Sequence, residues 1–178
     1  VVSKIFGLAD PRSFGSGNPG ATNVLRTGNK LAALLTLLGD AAKGAIAIGV
    51  AVDMGLQADL LGWIGLIAFL GHVFPITLGF KGGKGVATAA GILFGVEPLL
   101  GLATLGTWLI VALFFRYSSL AALAASLFAP AYYLFGDNIA WQTSEAELLA
   151  VLVMSALLLM RHKENIKCLV MGQETKIG

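Results

Sequence analysis

The stretch VATAAGILFGVEPLLGLATLGTWLIVALFF, from Val86 to Phe115, decides the fold. Its only charged residue is Glu97, followed at once by Pro98. An ionised carboxylate beside a proline is costly in hydrocarbon, so the pair belongs at a membrane surface. The stretch then reads as two short helices, Val86–Val96 and Leu99–Phe115. A single helix kinked at Pro98 is the rival, because proline is tolerated in lipid. Outward from this stretch lie four more apolar runs: Leu31–Val52, Leu60–Leu78, Leu120–Phe135 and Ala146–Met160. A helix needs about 20 residues to cross a hydrocarbon core of about 30 Å. The first two runs meet this easily, and six spans are expected in all.

Composition demands the same solution. The chain has 178 residues, of which 57% are hydrophobic and 12% charged, about half the charge a soluble domain carries. One core of this size does not hide so much apolar surface from water, and disordered chains are poor in apolar residues. Cys168 stands alone, which excludes a disulfide scaffold. The expected architecture is an all-α, polytopic membrane helical bundle forming a single domain over residues 1–178.

Charge placement orients it. With six alternating spans, eleven of the twelve Lys and Arg fall on one side, and the twelfth, Lys43, lies within a span. The other side holds Asp53, Asp59, Glu97, Asp137, Glu145 and Glu147. The basic side is therefore expected to be cytoplasmic, with both termini there. Merging the two short helices spoils this segregation. Trp63, Tyr117, Tyr132, Tyr133 and Trp141 fall near span ends, as interfacial aromatics do. No signal peptide is visible.

Three polar segments on the basic side are unlike ordinary connectors. The first runs Gly15-Ser16-Gly17-Asn18-Pro19-Gly20-Ala21-Thr22-Asn23, with Arg26 following. It matches G-x-G-x-x-G, but no βαβ unit surrounds it, so the dinucleotide reading fails. Asn18-Pro19 reads as a helix start, with Asn18 as N-cap and Pro19 first in the helix. Free N–H groups there, with the Arg26 fork, suit an anion; a glycine-rich turn with Arg26 snorkelling to headgroups is the plain alternative.

The second segment is Gly79-Phe80-Lys81-Gly82-Gly83-Lys84-Gly85-Val86-Ala87-Thr88. Walker spacing is absent, yet the physics is similar. Gly82, Gly83 and Gly85 let successive N–H groups turn inward as a nest, and Lys81 and Lys84 supply charge. Thr88 offers a hydroxyl in the next helix. A flexible loop obeying the positive-inside rule is the alternative, and the interleaving favours phosphate.

The third is Arg161-His162-Lys163-Glu164-Asn165-Ile166. On a continuing helix His162 and Asn165 share a face. A catalytic or substrate-orienting role and a structural one both remain open. Within spans, Asp40 and Lys43 at i,i+3 form a structural ion pair expected to pin the first loop. His72 reads as a hydrogen-bonded core histidine, or a support for the glycine loop.

With these segments quoted, the chain resembles the bacterial acyl-phosphate:glycerol-3-phosphate acyltransferases, the PlsY family. The resemblance rests on Ser-Gly-Asn-x-Gly-Ala-Thr-Asn-x-x-Arg, on Gly-His-x-x-Pro with Gly-Phe-Lys-Gly-Gly-Lys-Gly-Val-Ala-Thr, and on Arg-His-x-Glu-Asn-Ile, in order along nearly the whole chain. It implies a seven-span inner-membrane enzyme, and places the family's first helix outside this sequence. It also implies transfer of a fatty acyl group from acyl phosphate to the 1-hydroxyl of glycerol 3-phosphate, giving lysophosphatidate and phosphate in the first step of phospholipid synthesis. By the resemblance, Ser16, Arg26, Lys84, His162 and Asn165 match positions that bind glycerol 3-phosphate and line the reaction centre, with Asn18 beside them. Lys81, Gly82, Gly83, Lys84, Gly85 and Thr88 are expected to hold the acyl phosphate. Ser16, Lys84, His162 and Asn165 are the expected catalytic residues.

An acyl phosphate is a mixed anhydride with a good leaving group, so held substrates can react without a protein nucleophile. The base is either His162 or the substrate's own phosphate. A His-x4-Asp dyad is missing: Thr77 follows His72 by four residues, and Lys167 follows His162 by four. Cys168 lies outside the motifs and is a poor acyl carrier. No cofactor, metal or nucleic acid is expected. The alternative from another class is a transporter of phosphate or a phosphorylated metabolite, which favours a midplane site on broken helices and internal repeats. A scaffold binding anionic lipid is a third reading.

Overall fold

In a computed structural model that describes residues 1–177, helices take up most of the chain. In chain order they are α1 (Val2–Ile5), α2 (Ala21–Leu25), α3 (Lys30–Asp53), α4 (Ala58–Val73), α5 (Val86–Val96), α6 (Pro98–Phe115), α7 (Ser118–Phe135), α8 (Glu145–Arg161) and α9 (Lys163–Val170). A 3-10 turn, Ile76–Leu78, follows α4. The six apolar runs become α3 to α8. Four segments are long and apolar enough to cross a membrane: Lys30–Asp53, Ala58–Leu78, Pro98–Phe115 and Ser118–Phe135. Helix α5 is apolar but short.

The break at Glu97-Pro98 is present. Glu97 adopts an extended conformation between α5 and α6, and Pro98 opens α6 at a position where its missing N–H is not needed. Other ends are chemically marked. The Asn29 side chain accepts from Ala32 N at 2.9 Å to start α3, a cap worth about 1 kcal/mol. Ser144 caps α8 by accepting from Glu147 N.

Packing places α5 at the centre of one side, against α3, α4 and α6, while α7 bridges α6 and α8. Small residues make this possible, since lipid offers helices no hydrophobic reason to associate and close backbone contact must do so. A Cβ on Gly91 would lie 2.0 Å from the Ala41 carbonyl oxygen, and one on Gly44 2.3 Å from that of Thr88. The two glycines therefore interlock α3 and α5 backbone to backbone. The core joins Ile48, Phe69, Val73, Ile92, Leu100, Met154 and Leu158. Apolar residues also point outward, including Leu113, Phe114 and Phe115 on α6. Helices apolar on all sides belong in a membrane.

Tyr133 corrects one expectation. It is fully buried rather than interfacial. Its hydroxyl donates to Glu147 Oε2 at 2.5 Å and accepts from Ser144 N, while Trp141 Nε1 donates to its carbonyl. The aromatic side chain instead ties α7 to α8 at the acidic end.

Candidate active site

All three polar segments meet at one end of the bundle. The first is organised by a residue that sequence reasoning did not single out. Asn23 is 2% exposed. Its Oδ1 accepts from Ser16 N at 3.1 Å, and its Nδ2 donates to the carbonyls of Pro11 and Phe14 at 2.6 and 3.1 Å. This draws residues 11–16 over the start of α2 and delays the helix. The N-cap is Gly20, not Asn18, and Pro19 lies before the helix rather than at its first position. Arg26 is oriented by Asn23 as well, through Nη1 to Oδ1 at 3.3 Å.

The glycine loop is held from beneath. Arg161 donates to the Gly82 carbonyl at 3.0 Å and lies over the Phe74 ring. Gly82 N donates to Val73 O and Lys81 N to Leu78 O, so those two amides are spent on the loop itself. The nest is therefore narrower than the motif suggests. The amides of Gly83, Lys84 and Gly85 have no partner among the described residues, and they lead into the N-terminus of α5, where backbone dipoles favour an anion. Gly85 has φ +96°, and a Cβ there would meet the Phe69 ring at 2.3 Å, which excludes other residues. Thr88 does not serve the loop: it is fully buried, and its hydroxyl donates to the Asp40 carbonyl at 2.9 Å.

Asp40 and Lys43 do pair, at 2.6 Å. The pair does not pin the first loop. Asp40 Oδ1 lies 3.7 Å from His72 Nδ1, and the His72 ring packs against Gly83. This cluster braces α3, α4 and α5 under the glycine loop, so His72 takes the supporting place.

The third segment is not one continuous helix. Helix α8 stops at Arg161, α9 begins at Lys163, and His162 is the joint. His162 and Asn165 nevertheless line the same cavity. His162 is buried, and its Nδ1 lies 2.7 Å from the Leu158 carbonyl oxygen. Because a carbonyl only accepts, Nδ1 carries the proton and Nε2 is left as an acceptor. Burial pushes the imidazole pKa down to about 4; the Leu158 carbonyl opposes this and Lys84 adds to it. Lys84 Nζ donates to Asn165 Oδ1, whose Nδ2 donates to Glu174 Oε1 at 2.8 Å. Glu174 also accepts from Ser119 Oγ at 2.7 Å. Burial pushes the Lys84 ammonium pKa down; Glu174 opposes this, and Arg26 and Arg161 reinforce it. Glu174 and Ser119 escaped the sequence reading because a lone Glu or Ser carries no motif, whereas Arg161 stood in the third motif without a role of its own.

Two cavities open onto this cluster. One, of about 830 Å³, is polar, bordered by Arg12, Gly17, Lys81, Arg161 and Glu164. Cys168 also lies on its wall, nearer the site than its position outside the motifs suggests. The other, of about 250 Å³, runs down between α5, α6, α7 and α8 and is walled by Ala90, Leu93, Ala125, Ala129, Val151 and Met154. Its rim includes Leu37 and Leu105, 46% and 36% exposed on the apolar flank of the bundle. Ser16, Asn18, Arg26, Lys84, Asn165 and Glu174 border both. A polar chamber and an apolar groove thus share one charged wall.

Comparison with known proteins matches this arrangement to one family. The model of the family described as glycerol-3-phosphate acyltransferase matches residues 1–172. The chain belongs to that family. It is 59% identical over its full length to the Bordetella pertussis glycerol-3-phosphate acyltransferase, of which it covers 84%. The Burkholderia cenocepacia glycerol-3-phosphate acyltransferase is 58% identical, again over the full chain and 83% of the relative. Among solved structures, the glycerol 3-phosphate form of the integral membrane acyltransferase PlsY (YgiH) superposes with a TM-score of 0.90 at 38% identity, covering 99% of this chain and 86% of that one. The lysophosphatidic acid form of PlsY gives 0.86 at 37%, covering 99% and 87%. The family member described here is thus an integral membrane acyltransferase, and the transporter alternative gains no support.

Proposed function

We propose that this chain transfers a fatty acyl group from acyl phosphate to the 1-hydroxyl of glycerol 3-phosphate, releasing lysophosphatidate and inorganic phosphate. The observation that carries the reading is the charged wall shared by a polar chamber and an apolar groove. Substrates whose soluble ends are phosphates and whose transferred group is a fatty chain need that juxtaposition. The solved relatives include forms with glycerol 3-phosphate and with lysophosphatidic acid.

In this reading the free amides of Gly83, Lys84 and Gly85 hold the donor phosphate, with Lys81 and Lys84 offsetting its charge. Arg26, Ser16 and Asn18, on the same charged wall, hold the phosphate of glycerol 3-phosphate. The hydroxyl attacks the acyl carbonyl carbon, and the bond from that carbon to the bridging phosphate oxygen breaks. Charge developing on the leaving phosphate falls against Lys84 and the loop amides, where preorganised donors act most strongly. His162 Nε2, unprotonated at neutral pH, accepts the hydrogen bond of the attacking hydroxyl, and Asn165 fixes Lys84. The hydroxyl proton ends on the released phosphate, so the balance needs no further reactant. Six spans, a basic cytoplasmic face and the bacterial inner membrane complete the proposal; the charge segregation supports the orientation.

The test is direct. Purified protein given palmitoyl phosphate and glycerol 3-phosphate should release phosphate and form lysophosphatidate in equal amounts, read by phosphate assay and mass spectrometry. Lys84→Ala and Arg26→Ala should each lower kcat/KM by about 100-fold or more, the scale of losing a transition-state donor. No turnover with acyl phosphate, together with phosphate counterflow in liposomes, would make the protein a transporter.

A further inference from the structure

Helix α6 carries two buried polar atoms with no hydrogen-bond partner among the described residues, Thr104 Oγ1 and Trp108 Nε1. Several other hydroxyls on the helices bond back to their own helix. Thr36 donates to the Ala32 carbonyl at 2.8 Å, Thr107 to that of Ala103 at 3.0 Å and Ser126 to that of Leu123 at 2.9 Å. Thr104 is 8% exposed, yet does not bond back to its own helix. Trp108 also departs from habit. Trp141 lies between α7 and α8 and Trp63 in the second turn of α4, whereas Trp108 sits deeper, about two turns inside the end of α6. Both side chains line the apolar groove, and their i,i+4 spacing makes them neighbours on one face. Buried donors and acceptors left unmatched are unfavourable, so a matched ligand group is implied.

Depth indicates where on a ligand that group lies. Measured back from Phe115, the last residue of α6, Trp108 lies roughly 10 Å and Thr104 roughly 16 Å below the polar end. An extended hydrocarbon chain with staggered bonds of about 1.5 Å advances about 1.3 Å per carbon. A fatty chain entering from the charged wall brings its eighth to twelfth carbons, about, to these levels. We propose that Thr104 and Trp108 form a polar subsite for a hydroxyl carried part-way along the fatty chain, so that the groove takes hydroxylated acyl groups. The Trp108 N–H donates to the ligand hydroxyl oxygen, and that hydroxyl donates to Thr104 Oγ1, satisfying both atoms with one group. This rests on the acyl-transfer reading above.

The experiment compares octadecanoyl phosphate with 12-hydroxyoctadecanoyl phosphate as donors to glycerol 3-phosphate. For the natural sequence the ratio of kcat/KM, hydroxylated over plain, is expected near one. In Thr104→Val and in Trp108→Phe that ratio should fall about tenfold, as losing one buried hydrogen bond predicts, while Thr104→Ser should keep it. An unchanged ratio in both variants, or at least a hundredfold rejection of the hydroxylated donor by the natural sequence, overturns the subsite. Kd values for the two donors, measured on the same purified proteins without acceptor, should show the same tenfold change. If neither donor turns over, the acyl-transfer reading fails; the Kd ratio then still decides the subsite, and an unchanged ratio rejects it.

Discussion

His162 shows how one hydrogen bond sets a residue's chemistry. Its Nδ1–H is held by the Leu158 carbonyl and its ring is buried, so the neutral form persists to about pH 4. An unfolded histidine titrates near 6.5. Between those values the unfolded chain binds a proton that the folded one does not, so stability falls as pH drops from 6.5 to 4. His162→Gln removes this dependence. The thermal midpoint of the natural protein in detergent should therefore decline more steeply over that window than the variant's; parallel declines would refute the assignment. Arg161 makes a second residue-scale case. Because it holds the Gly82 and Gly83 carbonyls, Arg161→Ala should raise KM for the acyl phosphate about tenfold, the loss of one charge-assisted bond, while changing KM for glycerol 3-phosphate less. Equal rises would mean the loop is not its target.

Elements were the most legible scale. Each of the six apolar runs became a helix, and the Glu97-Pro98 interruption separated two of them because carboxylate and proline both resist continuation in lipid. What the pattern did not carry was contact-dependent. Asn18-Pro19 has the local chemistry of a helix start, but α2 begins at Ala21, and the buried bonds of Asn23 tie the residues before it to Pro11 and Phe14. The spacing of His162 and Asn165 assumed one helix, and no residue there signals the joint between α8 and α9. Tyr133 looked interfacial because its partner, Glu147, lies on another helix. The interlock of α3 and α5 gives a prediction at this scale. Gly91→Ala drives a methyl into the Ala41 carbonyl, and overpacking of this kind costs about 1–3 kcal/mol. Gly39→Ala, where a Cβ meets nothing within 4 Å, should leave the thermal midpoint nearly unchanged. Similar midpoints for both would remove the interlock from the account of stability.

Across the whole molecule, three segments far apart in sequence form one wall between two cavities. The family resemblance pointed to Ser16, Arg26, Lys84, His162 and Asn165, yet Glu174 and Ser119 complete the network that orders Lys84 and were invisible as single residues. Orientation is testable at this scale through Cys168, which borders the polar chamber. A membrane-impermeant maleimide should label it in inside-out vesicles and not in intact spheroplasts, and glycerol 3-phosphate should slow the labelling. Labelling from the outer face alone would reverse the proposed topology.

The apolar rim at Leu37 and Leu105 has a consequence for traffic. Of the two products, one is greasy and one is a water-loving ion, and each has its own way out: sideways into the bilayer, or through the charged chamber to the aqueous side. Once they separate into immiscible phases, their chance of meeting again at the same wall becomes small. The layout of exits thus hastens the parting of the products at the wall, while the position of equilibrium stays with the bond energies and the products' own partitioning.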